Sequence, residues 1–303
     1  MISSKNKNLS IVIPVYNEEA SIADTLKIFQ KLVLSSDFEI EVLLVNDGST
    51  DKTKSILENS KEIDQKKIKL INQKNNSGYG SSIKLGLKNA AFDNYLITDA
   101  DNTYPNEDIL NFSNNFFKSK SDMIIGDRTK VFYKNFFTYL TPKNIGREII
   151  RIFSSVLTNY NIKDINSGYR IFTKKLYSEC SDFLPNGFSL TSSITCLAIN
   201  YNYTIEYKEI PYRKRKGKSK IKPIKDFLNF INLITRMIIF TKPLRVFLPI
   251  FLFLFLSGIS LMFLRIFYTK QFFGTSVTLI ILSFLFIFFG YVFELLLLIY
   301  KKK

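Results

Sequence analysis

The chain has 303 residues, 46% of them hydrophobic, enough for one large domain or two smaller ones. Its formal charge is +16, from 42 basic and 26 acidic side chains, and it contains no histidine. The lack of histidine excludes every Ser-His or Cys-His mechanism and every His-ligated metal site, leaving carboxylates, cations, hydroxyls and a hard metal.

Leu9–Val15 (LSIVIPV) is a β-branched apolar run of the kind that forms a buried parallel strand. It is short and broken by Pro14, so it does not read as a signal peptide. Glu19–Leu34 follows with helical spacing of Ile22, Leu26, Phe29 and Val33. Ile40–Val45 predicts a second strand ending at Asn46-Asp47-Gly48-Ser49, and Thr50–Asn59 a second helix. Ile68–Asn72 predicts a third strand, Ser81–Ala91 a helix, and Tyr95–Thr98 a fourth strand that runs into Asp99. This alternation predicts a doubly wound α/β sheet, mostly parallel. Met123–Ile125 adds a strand, Pro142–Leu157 a long helix, and Ile205–Ile210 a late strand. Cys180 and Cys196 have no neighbour at metal-ligand spacing and are expected to be reduced.

Eight Lys or Arg and no acid lie between Pro211 and Lys225. No nucleic-acid module pattern accompanies them, so no nucleic-acid partner is expected, and the cluster reads as a reader of anionic lipid head groups. Pro223–Phe240 has an amphipathic pattern suited to the membrane interface. Two uncharged apolar runs follow, Val246–Leu264 and Phe272–Phe293, each near the roughly 20 residues needed to cross a bilayer. A transmembrane hairpin is expected, with spans over about 246–266 and 272–298. Lys242, Arg245 and Lys301–Lys303 flank its outer ends, while the connecting loop has only Arg265 and Lys270. That bias places both termini in the cytoplasm. The expected organisation is a cytoplasmic catalytic domain over 1–222, an amphipathic juxtamembrane segment over 223–243, and the hairpin over 244–303. The hairpin leaves room for a homo-oligomer packed through it.

Ligands of open α/β sheets sit beyond the carboxyl ends of the strands, and polar residues gather at those ends here. They are Tyr16-Asn17-Glu18, Asp47-Gly48-Ser49, Asn76-Ser77-Gly78-Tyr79-Gly80 and Asp99-Ala100-Asp101. Two carboxylates one residue apart after a strand can grip Mg²⁺ or Mn²⁺, a cation that keeps several waters and bridges substrate phosphates.

These segments, together with Gly126-Asp127-Arg128, Asp164–Arg170 and Tyr212–Lys220, resemble the ordered motifs of family 2 glycosyltransferases with the GT-A fold. The later ones resemble the dolichol-phosphate mannosyltransferase and bacterial polyprenyl-phosphate glycosyltransferase branch. The resemblance implies inverting transfer of one hexose from a UDP- or GDP-sugar to a polyprenyl phosphate, at the cytoplasmic face of a bacterial or archaeal inner membrane. It implies that Pro14, Tyr16, Glu18, Asp47, Gly78 and Asp99 border the nucleotide sugar, and that Asp99 and Asp101 hold the metal on the diphosphate. Arg128, Arg147, Arg215, Ser219 and Lys220 would meet the acceptor phosphate, and Asp99, Asp101, Arg128 and Arg215 would be the catalytic residues. Thr103 stands where the mannosyltransferase pattern has Gln, so the metal's third protein ligand is unassigned. Another membrane-associated acceptor and a catalytically degenerate membrane scaffold remain as alternatives. A processive polysaccharide synthase would carry a Gln-x-x-Arg-Trp motif, and the chain has no tryptophan.

Overall fold

The structure is a computed structural model that describes residues 6–63, 66–132, 142–213, 231, 235–236, 238–240, 242–269 and 274–301. Two compact units divide the chain. One comprises Met1–Ser155 with Tyr160–Phe230, the other Val156–Asn159 with Ile231–Lys303.

The first unit is built on a seven-stranded sheet in the order β3-β2-β1-β4-β6-β5-β7. The strands are β1 (Asn8–Val15), β2 (Glu39–Asn46), β3 (Ile68–Asn72), β4 (Asn94–Ile97), β5 (Met123–Asp127), β6 (Arg170–Thr173) and β7 (Ile205–Glu209). β1 pairs in parallel with β2 and β4, β2 with β3, and β5 with β7. Among these strands only β6 runs the other way, antiparallel to both β4 and β5. The mostly parallel sheet agrees with the expectation. Ile11, Ile13, Val42, Leu44 and Leu96 are wholly buried because helices cover both sheet faces, which is why these strands read as unbroken apolar runs.

The helices are α1 (Ile22–Ser35), α2 (Thr53–Glu58), α3 (Tyr79–Lys88), α4 (Ile109–Lys118), α5 (Thr129–Phe132), α6 (Pro142–Thr158), α7 (Lys174–Cys180) and α8 (Leu190–Asn200). Three begin away from their predicted starts for local reasons. Glu18 O accepts the N–H groups of Ser21 and Ile22, so Glu19–Ser21 form a turn before α1. The Asp51 carboxylate accepts the N–H of Thr53 at 3.0 Å and delays α2. Gly78 adopts φ +100° and its carbonyl receives the N–H of Ser82, so α3 starts two residues early. Every residue of α8 is buried. Cys180 and Cys196 are free, and burial pushes both thiols up to about 12.

In the second unit, α9 (Leu244–Leu264) leads through a π-type turn at Arg265–Thr269, and α10 is Gly274–Lys301. Two stretches, Leu244–Phe267 and Gly274–Ile299, are long and apolar enough to cross a membrane, at 24 and 26 residues. The two helices approach closely at glycines. A Cβ on Gly258 would lie 2.8 Å from Ile280 Cγ1, and one on Gly290 2.9 Å from Phe247 Cβ. Phe247 stacks on Phe293 with ring centroids 5.8 Å apart. Most of the expected juxtamembrane segment falls outside the described residues, as do Arg215, Ser219 and Lys220.

Candidate active site

β1 to β4 are parallel and in register, so their carboxyl ends deliver four loops to one edge of the sheet. The first two loops are stitched together. Asn17, at φ +51°, accepts the N–H of Thr50 on its side-chain oxygen at 2.8 Å, and the N–H of Glu18 donates to Thr53 Oγ1 at 2.8 Å. Pro14 pairs with Val45 inside the ladder, and Tyr16 and Glu18 follow at its end.

Asp47 is buried beyond β2, and its two oxygens accept the N–H groups of Ser77 at 2.7 Å and Gly78 at 2.9 Å. The carboxylate that the sequence assigns to a nucleoside therefore also fixes the loop after β3. Gly78 is required there, since a Cβ would lie 2.7 Å from the Asn186 carbonyl oxygen.

The next residue, Tyr79, donates its hydroxyl to Asp99 Oδ1 at 3.1 Å and stacks on Phe188 at 5.5 Å. Burial, then the Asp99 charge, push the phenol well above its ordinary range and keep it a donor. Asp101 is buried, and its Oδ1 accepts from the Thr103 N–H at 3.1 Å and the Thr103 hydroxyl at 2.6 Å. Thr103 thus orients the second carboxylate. Asn102 and Ala100 are tied to α1 through the Thr25 hydroxyl, at 3.0 and 2.8 Å.

The loop Asp164–Gly168 closes on this pair. A Cβ on Gly168 would lie 3.0 Å from the Tyr79 hydroxyl, 3.2 Å from Asp99 Oδ1 and 3.3 Å from the Tyr104 hydroxyl. The Gly168 N–H donates to the Tyr104 hydroxyl at 2.7 Å. Arg128 Nη1 donates to that same hydroxyl at 3.0 Å, while Nε and Nη2 form a fork on Asp164 at 2.7 and 2.9 Å. Arg128 and Asp164 are both buried, and the guanidinium sits over the Tyr212 ring at 5.1 Å. Burial pushes the Asp164 carboxyl up, but the charge and hydrogen bonds of Arg128 outweigh it and hold the group below its ordinary value.

Arg170 anchors the far side of the loop. It is fully buried and donates to the carbonyls of Ser167, Ile165 and Thr191 and to Thr195 Oγ1 at 2.9 Å. Burial lowers it to about 10, which leaves it charged at neutral pH.

Beside the Arg128–Asp164 pair is a cavity lined by Thr129, Arg147, Arg151, Lys163, Asp164, Ile165 and Asn166. Burial, then the nearby Arg128 charge, lower the Arg147 guanidinium. Arg151 pairs with Glu148 and donates to the Ile162 carbonyl at 3.1 Å. The expected phosphate residues Arg128 and Arg147 thus stand near one another. Arg128 is occupied by Asp164 and Tyr104, whereas Arg147, which donates to Asn144 Oδ1 at 3.1 Å, lines the cavity. Sequence reasoning missed the contacts of Tyr79, Tyr104 and Asp164, and missed Arg151 and Lys163 as lining residues. The segment quoted as Asp164–Arg170 contained part of that signal, but Arg128 is 36 positions from its partner.

Asp99 and Asp101 supply hard oxygen donors at the end of an apolar strand, which fits a divalent cation of the Mg²⁺ type. Among the described residues no group of three or more Asp, Glu or Cys gathers for a metal. These two carboxylates would therefore hold such a cation together with substrate oxygens and water.

The glycosyl transferase family 2 pattern matches residues 10–180. A low-salt glycan biosynthesis hexosyltransferase, Agl6, of Haloferax volcanii is 25% identical over 218 residues, covering 72% of this chain and 51% of that protein. A dolichyl-phosphate hexose transferase of the same organism is 27% identical over 216 residues, covering 71% of this chain and 87% of that protein. The chain spans about half the length of the first of these relatives. Among solved structures, glucosyl-3-phosphoglycerate synthase from Mycobacterium tuberculosis, in complex with Mn²⁺, UDP and glucosyl-3-phosphoglycerate, superposes with a TM-score of 0.52. It is 15% identical, with 79% of this chain and 80% of that chain covered. That likeness establishes the GT-A fold. From the sheet order, the paired carboxylates after β4 and a pattern match over more than half of its length, the chain belongs to glycosyl transferase family 2.

Proposed function

We propose that the chain transfers a single hexose from a UDP- or GDP-sugar to a polyprenyl phosphate, with inversion, at the cytoplasmic face of a membrane. The observation that carries this is a continuous run of contacts, Asp47 to Gly78, Tyr79 to Asp99, Gly168 to Tyr104 and on to Arg128, that ends beside a cationic cavity. One end suits a nucleotide, the middle a metal-bridged diphosphate, and the far end an anionic acceptor. The relative named for hexose transfer to dolichyl phosphate, and the neighbour that holds UDP with Mn²⁺, support the same assignment.

A lipid phosphate is already ionised near pH 7, so no histidine is needed to remove a proton from the nucleophile. Its oxygen attacks the anomeric carbon as the bond from that carbon to the diphosphate oxygen breaks, and the electron pair leaves with the diphosphate. Arg147 and Lys163 are assigned to orient the acceptor phosphate, with Arg215, Ser219 and Lys220 as further candidates outside the described residues. Arg128 is assigned to hold Asp164 and Tyr104 in place. Pro14, Tyr16, Glu18 and Asp47 are assigned to the nucleoside. Asp99 and Asp101 would hold a Mg²⁺ or Mn²⁺ ion, which would supply Lewis-acid neutralisation of the leaving diphosphate. Both termini are assigned to the cytoplasm, with a catalytic domain over 1–222, a juxtamembrane segment over 223–243 and a membrane hairpin over 244–303.

The test offers the purified chain a panel of UDP- and GDP-sugars with polyprenyl phosphate and Mg²⁺ or Mn²⁺. One donor is expected to give a metal-dependent polyprenyl-phosphate sugar with inverted anomeric configuration. Donor hydrolysis or transfer to a different acceptor, with none to the lipid phosphate, would overturn the proposal.

A further inference from the structure

The loop 184–189, which leads into α8, is fastened to α3 along its length. The Leu184 carbonyl accepts from Lys84 Nζ at 3.1 Å, and the Asn186 carbonyl accepts the N–H of Ser81 at 3.0 Å. Gly80 lets the two backbones meet, since a Cβ there would collide with the Pro185 carbonyl and lie 2.8 Å from that of Gly187. The Gly187 carbonyl in turn accepts the N–H of Leu190, in the first turn of α8, at 3.3 Å.

On this braced loop Phe188 is 44% exposed. Tyr79 stacks on one face of its ring, with centroids 5.5 Å apart and planes 20° from parallel. The opposite face and the rim are left as the exposed part. Tyr79 itself donates to Asp99 Oδ1 at 3.1 Å. A lone exposed apolar side chain needs no explanation. This ring differs, because a fixed loop holds it against the residue that orients a proposed metal ligand and still leaves it open. Groups that meet a ligand are commonly carried in this way, on loops positioned by a rigid scaffold.

Of the three parts of a nucleotide sugar, the hexose suits this ring best. The nucleoside is assigned to Asp47 at the end of β2, and β1 stands between β2 and β4 in the sheet. At ~4.8 Å per strand, the ends of β2 and β4 are about 10 Å apart. The diphosphate is anionic, and the negative face of an aromatic ring repels it. The hexose hangs from that diphosphate and is the next group along. One side of a pyranose ring carries C–H bonds, whose positive hydrogens match the negative face of a phenyl ring. Phenylalanine offers no hydrogen bond, so it reads that C–H side and not the pattern of hydroxyls.

We propose that Phe188 is a platform for the donor hexose, stacking on its C–H side next to the diphosphate assigned to Asp99 and Asp101. The inference rests on the transfer reaction proposed above and adds to it a residue that touches the sugar itself.

The test compares each nucleotide sugar with the nucleoside diphosphate it contains, so that contacts outside the sugar cancel. Calorimetry with Mn²⁺ on the full chain in detergent gives Kd for UDP, GDP and a panel of their hexose conjugates, UDP-glucose and GDP-mannose among them. The proteins are the parent, Phe188→Ala and Phe188→Tyr. For the conjugate that the parent binds, the ratio of its Kd to that of its diphosphate is expected to rise roughly two- to tenfold in Phe188→Ala. Phe188→Tyr keeps the ring and is expected to restore the parent ratio. Equal weakening of conjugate and diphosphate would mean that Phe188 only supports Tyr79 and Asp99, or stacks on the base. Unchanged binding of both would mean that the ring meets solvent alone. Either result overturns the platform and leaves the transfer reaction standing. A parent that binds no conjugate in the panel overturns the transfer reaction and the platform with it. If Phe188→Ala fails to fold, Phe188→Leu takes its place, since it keeps apolar volume but has no aromatic face.

Discussion

The Tyr79 hydroxyl donates to Asp99 Oδ1 at 3.1 Å, and through this bond the loop after β3 sets the orientation of the first carboxylate after β4. Tyr79 is itself held by its neighbour Gly78, whose N–H lies 2.9 Å from Asp47 Oδ2, and by stacking on Phe188. The proposed nucleoside end, after β2, and the proposed metal end, after β4, are therefore both tied to the loop after β3. Groups that orient metal ligands are worth about 10–100-fold in metal affinity. Tyr79→Phe keeps the ring and its stacking but removes the donor. The Mn²⁺ concentration for half-maximal binding, read by calorimetry with UDP or GDP present, is expected to rise about tenfold. An unchanged midpoint would remove Tyr79 from the control of Asp99.

Asp99→Asn and Asp101→Asn each take away a charged oxygen donor at the strand end. Transfer is expected to vanish in both while the melting temperature stays near that of the parent. Thr103→Val should act more mildly, because it deletes a 2.6 Å hydrogen bond to Asp101 but leaves the carboxylate and the Thr103 backbone donor. A charge-assisted hydrogen bond contributes about 1.5–3 kcal/mol, so activity should drop roughly ten- to a hundredfold. Retained turnover in either Asn variant at unchanged metal concentration would take that residue out of the site.

The sheet and the paired carboxylates are legible in the sequence because buried parallel strands leave continuous apolar runs, and the polar residues that end them stand out. β6 is not legible, since Arg170–Thr173 is only four residues long and opens on an arginine. That arginine is buried among carbonyls, a placement with no periodic signature. α8 escapes detection for the opposite reason, because every one of its residues is buried and no polar face marks a helical repeat. The sequence marks α6 as a helix, but not that its charges face inward. That depends on Asp164, which lies beyond the helix in sequence and whose charge favours the Arg147 guanidinium. The role of Arg128 turns on the same residue, Asp164.

The Arg128–Asp164 fork is a buried ion pair, so removing one partner strands the other. Arg128→Met alone is expected to cost about 3–5 kcal/mol, and Asp164→Leu alone a similar amount. The double change Arg128→Met with Asp164→Leu should recover most of the loss, since neither charge is then left unpaired. Urea unfolding of the four proteins measures this, and additive losses would contradict a direct pair.

The pH dependence has a defined sign. Asp164 has its folded-state pKa depressed, so its contribution is complete above the ordinary carboxyl value of about 3.9 and is lost as pH falls through the lower folded value. Parent stability should decline below about pH 4 by more than that of the double variant.

Gly168 gives the sharpest test of how tightly the site is assembled. Its missing side chain faces three functional oxygens at once. A Cβ there would stand 3.0 Å from Tyr79, 3.2 Å from Asp99 and 3.3 Å from Tyr104. Such contacts are tight but not impossible, so Gly168→Ala should fold with a shift of a few tenths of an ångström in its neighbours. A misplacement of that kind near reacting groups lowers turnover far more than stability, here by about tenfold or more. The nearest of the three atoms is the Tyr79 hydroxyl, which Tyr79→Phe deletes. In that background the added methyl group has more room, so its further effect on turnover should shrink. Two changes in contact are expected to couple by about 0.5–3 kcal/mol rather than add. The measurement is a double-mutant cycle in kcat and in the Mn²⁺ midpoint for the parent, Gly168→Ala, Tyr79→Phe and the pair. Strictly additive effects would mean that the loop Asp164–Gly168 does not press on the Tyr79–Asp99 contact, and the continuous run of contacts would break at that point.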